Sequence, residues 1–293
     1  IANLTLVAND TYFNGPNFTW MAKLLGLARV RIRGVNSRLC EFSQFVVLKD
    51  GGLGPPGVIG GLPEAAATIK EPKGWFAQGY EEAGRWPLPD GSTAVLYQLR
   101  RPKGPTFKGR KLEYQYYTAG AFEAADLVIE LGDWDPARSV YSRARVKAAE
   151  VHLRGVRLTN LEMEMEGLLF VPIYQKRSGT WGDVRFLRLD KLKITSASIN
   201  GDSLKAFLEG RVKGLVLSSF ELDQTVRLRG AYRNLTVSAE ASARVTHAPP
   251  GLTLELRSAR LGVTPLPAFL IGPFKSFTQP FFPTPELPFA ISA

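Results

Sequence analysis

Residues 143–167 read RARVKAAEVHLRGVRLTNLEMEMEG, and apolar and polar positions alternate through most of that stretch. Ala144, Val146 and Ala148 share one phase, followed by Val151 and Leu153, then Val156 and Leu158, then Leu161, Met163 and Met165. A period of two predicts strands with one apolar face and one charged face. The phase slips near Ala149, at Gly155–Val156 and at Thr159–Asn160. Each slip predicts a bulge or turn, because an uncorrected slip moves the apolar set into water. Residues 168–173, 184–189, 192–199, 215–222, 225–229, 235–245 and 252–256 predict further strands, and 125–131 a strand or the end of a helix. The polar tract 175–182 predicts a hairpin tip. Asn200-Gly201 is turn chemistry and Asp202 a candidate helix N-cap, after which Leu204, Phe207, Leu208 and Val212 form one helical stripe.

The first hundred residues are patterned differently. Residues 4–8, 30–35, 45–48 and 94–99 are strand-like. Phe18, Met21, Ala22 and Leu25 fall at helical spacing, and 63–69 and 74–84 predict two more helices, the second aromatic. GGLGPPG at 51–57 is turn chemistry without phosphate-loop spacing, and Leu88-Pro-Asp-Gly-Ser predicts a hairpin turn. Pro, Gly and Lys cluster in PKGPTFKGRK, where periodicity is lost. The division expected is therefore an α/β domain at 1–102, a linker at 103–111 and a β-rich domain at 112–293.

Composition narrows the chemistry. The chain is 45% hydrophobic and 22% charged, as globular chains are. No apolar run reaches the eighteen residues of a spanning helix. Ile1 opens directly into an apolar strand, which predicts an excised or processed piece. A single cysteine, Cys40, excludes an intrachain disulfide and a cysteine zinc site. The formal charge of +10 is made of +3 in residues 1–102 and +7 in 103–293. It suits an anionic membrane surface; no motif accompanies it that would point to nucleic acid. His152 and His247 lack metal-ligand spacing, and no G-x-S-x-G occurs. Glu130, Asp133 and Asp135 read as a turn with capping carboxylates rather than a calcium site. Glu162, Glu164 and Glu166 read as the solvated face of a strand. No catalytic residue, metal or cofactor is expected.

The candidate binding residues are apolar. Ala239, Ala241 and Ala243 form a row of small side chains that lets another element approach the sheet. The last thirty-odd residues hold many Phe and Leu cut by seven prolines, which forbid one long helix. A short helix near 268–271 followed by an extended apolar strap is expected. A lipid-binding groove is therefore expected between the sheet and the helical stripe, lined by Leu204, Phe207, Leu208, Ala239, Ala241 and Ala243. Leu266, Phe269, Leu270 and Phe274 of the tail would close it.

Two resemblances bear on function. Asp10-Thr-Tyr-Phe-Asn-Gly, Phe45-Val-Val-Leu-Lys-Asp and Trp86-Pro-Leu-Pro-Asp-Gly-Ser, ending in Val95-Leu-Tyr, resemble the soluble tail of bacterial membrane glycosyltransferases that use polyprenyl-phosphate sugars. These are the protein-mannosyltransferase-like and aminoarabinose-transferase-like group, and the resemblance implies catalytic carboxylates in a membrane bundle outside this chain. Residues 112–293 resemble the LmeA-like envelope proteins through the strands around Val151 and Met165, the segment Ile199-Asn-Gly-Asp-Ser-Leu-Lys-Ala-Phe-Leu, the strands at 226–228 and 235–241, and the Pro265-Leu-Pro…Leu287-Pro ending. That family is similar to tubular lipid-binding domains. The resemblance implies a long twisted antiparallel sheet wrapping one or two helices around a phospholipid groove. The fold class expected is α+β. The function expected is a non-catalytic, extracytoplasmic, membrane-associated region that binds or positions lipid or lipid-linked sugar beside a glycosyltransferase, with transmembrane helices of the same or a partner protein as a further partner. The alternative is a structural subunit of an envelope complex without a ligand.

Overall fold

The computed structural model describes residues 2–34, 41–119, 122–153, 156–175, 180–211, 213–222, 226–232, 235–247, 250–267, 276–280 and 290–292. The chain is strand-rich, with three sheets and four helices among the described residues.

The first sheet is built from β1 (Ala2–Val7), β2 (Val30–Gly34), β3 (Phe45–Asp50), β4 (Tyr80–Pro87) and β5 (Thr93–Leu99), in the order β2-β1-β3-β5-β4. β1 pairs in parallel with both β2 and β3, whereas β5 runs antiparallel to β3 and β4. Helix α1 (Gly15–Leu24) connects β1 to β2. Helices α2 (Leu62–Lys70) and α3 (Trp75–Gly79) lie between β3 and β4. The aromatic stretch 74–84 departs from the expected helix. It is helical only to Gly79, because from Tyr80 onward it pairs with β5 across the Leu88–Ser92 turn. In that turn Gly91 takes φ 81°, and the Leu88 N–H donates to the Ser92 carbonyl at 2.8 Å.

The second sheet comprises β6 (Lys111–Ala119), β7 (Phe122–Leu131), β8 (Trp134–Asp135), β9 (Val140–Leu153), β10 (Val156–Gln175), β11 (Thr180–Arg188) and β12 (Lys191–Ile199), with β19 (Ala290–Ser292) on its edge. Residues 125–131 are strand. The expected alternation holds: Ala144, Val146, Ala148, Val151, Leu161 and Met163 are buried. Two residues separate buried Ala148 from buried Val151, so the phase slips there. At Asn160 the backbone turns to φ 51°, which accommodates the third expected slip. Glu162 and Glu164 stay on the solvated face, opposite Lys147 at 3.3 Å and Arg145 at 4.0 Å. The polar tract's tip, 176–179, lies outside the described residues, but β10 and β11 pair as a hairpin around it. The third sheet is formed by β13 (Leu215–Leu222), β14 (Val226–Tyr232), β15 (Leu235–His247), β16 (Pro250–Leu261), β17 (Thr264–Pro265) and β18 (Ser276–Pro280), preceded by helix α4 (Gly201–Arg211).

Two compact units emerge, and they interleave in sequence. One comprises residues 1–114, 130–144 and 165–190; the other comprises 115–129, 145–164 and 191–293. The boundary expected at 103–111 therefore lies inside the first unit. The reason is the core. Val7, Val46, Leu48, Ala65, Ile69, Phe76 and Tyr80 pack in one cluster with Val140, Leu169, Val171 and Leu187, which arrive from much later in the chain. Gly79 leaves room for Leu187: a Cβ there would meet Leu187 Cδ1 at 2.7 Å. Polar groups reinforce the junction. The buried Glu41 carboxylate accepts the Phe186 N–H at 2.6 Å, and the Phe42 and Phe186 rings stack.

Leu187→Ala is expected to cost about 2–5 kcal/mol, the range for a buried leucine truncation, measured by urea unfolding of the whole chain. A fragment ending at residue 102 lacks four apolar members of its core and is expected to show no cooperative transition; a two-state melt of that fragment would refute the shared core.

Candidate functional site

The third sheet has two chemically distinct faces. Register places Leu217, Phe220, Val226, Leu228, Val237, Ala239, Ala241 and Leu256 on one face. The other carries Glu221, Arg227, Ser238 and Glu240, around an open polar hollow of about 230 Å³. Arg227 lies 3.5 Å from Glu240 and 3.9 Å from Glu221 there. Alternation with period two dictates this separation.

The expected groove residues fall into two groups. Leu204 is buried and Leu208 half-buried on α4, which packs against the edge strand β13. Glu209 accepts the Leu217 N–H at 2.6 Å and ties the helix to that strand. The helix is capped by Asn200, whose side chain accepts the Ser203 N–H at 2.8 Å, rather than by Asp202. Ala239, Ala241 and Ala243 lie on β15, two strands from β13, in register with Val226 and Leu228 on one side and Leu254 and Leu256 on the other. Ala241 is 4% exposed. Helix and alanine row thus line different parts of the sheet. Leu266 is half-buried, and its N–H donates to the Ala259 carbonyl at 2.9 Å. The side chains of Phe207 and Ala243, and all of Phe269, Leu270, Phe274 and the expected helix at 268–271, lie outside the described residues. Part of the expected strap is strand: 276–280 pairs with β16, and 290–292 with β12.

A second constellation was not anticipated. In the first sheet the strand order reverses direction between β1 and β3. Open α/β sheets place ligands outside the carboxyl ends of strands at such a point. Here the position is closed by the chain itself. Lys49, at the end of β3, has a side chain only 3% exposed; it is paired with Asp10 and lies 2.6 Å from Asp90. The 51–58 loop is fastened over β1 by the Asn9 N–H to the Leu53 carbonyl at 2.7 Å and by the Asn9 amide to the Val58 carbonyl at 2.9 Å. Gly54, at φ 129°, sits so close to the Asn9 carbonyl that a Cβ would collide with it.

Burial alone would lower the Lys49 pKa; the hydrogen bonds to Asp10 and Asp90 outweigh it and hold the ammonium above its ordinary value. Asp10 is held low by its hydrogen bond to Lys49 and by the Thr11 N–H. Asp90 is held low by Lys49 and by the Ser92 hydroxyl and N–H. A lysine acting as nucleophile or base needs a depressed pKa, whereas the pairing with Asp10 and Asp90 holds this one high and ties β3 to the segments that carry the two carboxylates. Asp10, Lys49 and Asp90 each come from one of the three segments quoted above for residues 1–102. No sequence period joins them; only the parallel pairing of β1 with β3 and the β4–β5 turn bring them together.

Elsewhere the polar readings resolve into local structure. Asp135 accepts the Ala137 and Arg138 N–H groups at 3.0 and 3.2 Å, as a turn cap does. His152 lies 2.7 Å from Glu150 on an exposed face. Among the described residues no group of three His, Cys, Asp or Glu side chains could hold a metal, and no helix is long and apolar enough to cross a membrane. Comparison of the chain with protein-family models, curated proteins and solved structures finds no match.

The Lys49 cluster sets an expected pH dependence. The depressed carboxylates contribute stability that is complete above about pH 4, their unfolded value, and is lost as pH falls through their lower folded values. The raised Lys49 contributes stability present below about pH 10.4 and lost as pH rises through its folded value. Lys49→Met is expected to lower Tm at pH 7 and to flatten its decline between pH 5 and 2. Parallel Tm–pH curves for the two proteins would remove the cluster from the acid limb.

Proposed function

We propose that this chain is a non-catalytic lipid-handling region that works outside the cytoplasm, beside a polyprenyl-phosphate-sugar-dependent membrane glycosyltransferase. The observation that carries this reading is the continuous apolar face of the third sheet, with small side chains along β15. A helix of eleven residues packs against its edge strand β13. Each large aliphatic side chain left in water forfeits about 1.5–3 kcal/mol, so the face has to be covered by protein or by an acyl chain. An acyl chain gains about 0.8 kcal/mol per buried methylene, and the small side chains of β15 leave it room. The likeness of residues 1–102 to glycosyltransferase tails and of 112–293 to the LmeA-like proteins supports the same assignment. Sugar transfer by this chain alone is not part of the reading, since the resemblance places the catalytic carboxylates in a membrane bundle outside it.

A structural role without a ligand is the second reading. It is favoured by the burial of Ala241, Leu217 and Val226, at 4%, 3% and 0% exposure.

One substitution separates the two. If β15 borders a lipid path, the purified chain is expected to yield extractable lipid by mass spectrometry and to take up a fluorescent acyl probe. Ala241→Leu is then expected to abolish uptake with little loss of Tm. If that face is filled by protein, Ala241→Leu overpacks it and costs about 1–3 kcal/mol; neither lipid nor probe is found, and the scaffold reading stands.

A further inference from the structure

Helix α1 is held rigidly, yet none of its residues is buried. The Asn14 side chain accepts the Asn17 N–H at 3.0 Å, and its amide donates to the Asp10 and Thr11 carbonyls at 2.9 and 3.0 Å. Pro16 occupies the first turn. At the other end Gly26 takes φ 66°, so the Leu27 N–H reaches the Ala22 carbonyl at 2.8 Å and the Gly26 N–H the Lys23 carbonyl at 3.1 Å. Toward the sheet, Phe18 packs with Phe13 against Leu6, Ala8 and Val47. Trp20, Met21 and Leu24 of the helix and Leu25 at its C-cap are exposed, Trp20 at 60%, Leu24 at 62% and Leu25 at 65%. Tyr12 and Leu27, in the segments flanking the helix, are exposed as well. A ten-residue helix is too short to persist alone in water. Here caps and a single aromatic anchor hold it in place, and Trp20, Met21 and Leu24 are left exposed.

Charge identifies what meets this surface. Residues 11–40 contain Lys23, Arg29, Arg31, Arg33 and Arg38 and no Asp or Glu, so half of the chain's formal +10 lies in this stretch. The rest of residues 1–102 sums to −2, from six basic and eight acidic residues. Counting that whole segment together hides the concentration. Between α1 and the edge strand β2 lies an open hollow of about 410 Å³, walled by Pro16, Trp20 and Ile32 and flanked by Lys23 and Arg33. An exposed tryptophan and aliphatic side chains on a helix that carries Lys23, in a stretch with five basic and no acidic residues, match the interfacial layer of an anionic bilayer. We infer that α1 and its flanking turns dock the chain on an anionic lipid surface, with Trp20, Leu24 and Leu25 entering the headgroup boundary and Lys23 and Arg29 meeting lipid phosphates. This contact belongs to the first unit and is independent of any lipid path along β15.

The test uses the full chain and flotation with vesicles of phosphatidylcholine, with and without about one third phosphatidylglycerol. Binding is expected to the anionic vesicles and to weaken in high salt. Each neutralisation, Lys23→Gln or Arg29→Gln, is expected to weaken it roughly fivefold, the effect of one basic residue at such a surface. The triple variant W20S/L24S/L25S is expected to reduce it at least tenfold with Tm unchanged, because these side chains are exposed. Ala241→Leu is expected to leave docking intact, so failure here and failure of the acyl-probe test remain distinct. Equal binding by the parent chain and the triple variant would overturn the proposal. So would self-association lost in the triple variant without any vesicle binding, which would assign the surface to a second copy. A large drop in Tm in the triple variant would do the same, unless the two charge variants, at parental Tm, weaken anionic binding as stated.

Discussion

Leu169, Val171 and Leu187 fill the apolar space beside α2, α3 and the first sheet, and the organisation of the chain follows from that packing. The Val7–Val46–Leu48 face of the first sheet is too wide for one nine-residue and one five-residue helix to cover. The later strands complete the cover, and Val140 joins them. Because those residues belong to long strands of the second sheet, the sheet contributes segments to both compact units. The resulting core is aromatic at its centre: Phe76 stacks on Tyr80, and Tyr97 meets Phe76 edge to face. The Tyr80 hydroxyl donates to the Ser43 carbonyl at 2.8 Å, so its polar end is satisfied at full burial.

The two faces of the first sheet differ in how they are finished. The α2–α3 face is closed by protein. The opposite face, bearing Leu6, Ala8 and Val47, receives little more than Phe13 and Phe18 from the start of α1, and that helix leaves Trp20, Met21 and Leu24 exposed. At the carboxyl ends of the parallel strands the chain places a lysine clamped between two carboxylates, where related topologies leave a ligand crevice. Among the described residues of this unit, exposed apolar side chains gather on α1, and the strand ends hold the Lys49 cluster.

The third sheet applies the same period-two logic with a different outcome. Its polar face is laced by Arg227 with Glu221 and Glu240, its apolar face by alanine, valine and leucine in register. Lipid contact along β15 and lipid contact through α1 are separate hypotheses about separate surfaces. They differ physically: the apolar side chains of α1 are exposed, whereas Leu217, Val226 and Ala241 of the third sheet are buried.

Local pattern was enough to determine most of the strands. Alternation in 143–167 marked which side chains turn inward, and even the phase slips at Ala149 and Asn160 were legible, because a buried face cannot change sides without a bend. Leu88-Pro-Asp-Gly-Ser specified its turn through one proline and one glycine. Helix 62–70 was equally plain. Local pattern could not determine partners. The aromatic run 74–84 suits helix or strand, and pairing with β5 decided it. The break at 103–111 resembles a linker, yet long-range packing of Leu187 and Val171 drew the compact units across it. Asp10, Lys49 and Asp90 are unremarkable apart; parallel pairing of β1 with β3 made them a cluster. Met21 and Leu25 share a helical spacing with Phe18 and Ala22, and only the tertiary structure, which packs Phe18 against Leu6, Ala8 and Val47, decided that Met21 and Leu25 stay exposed.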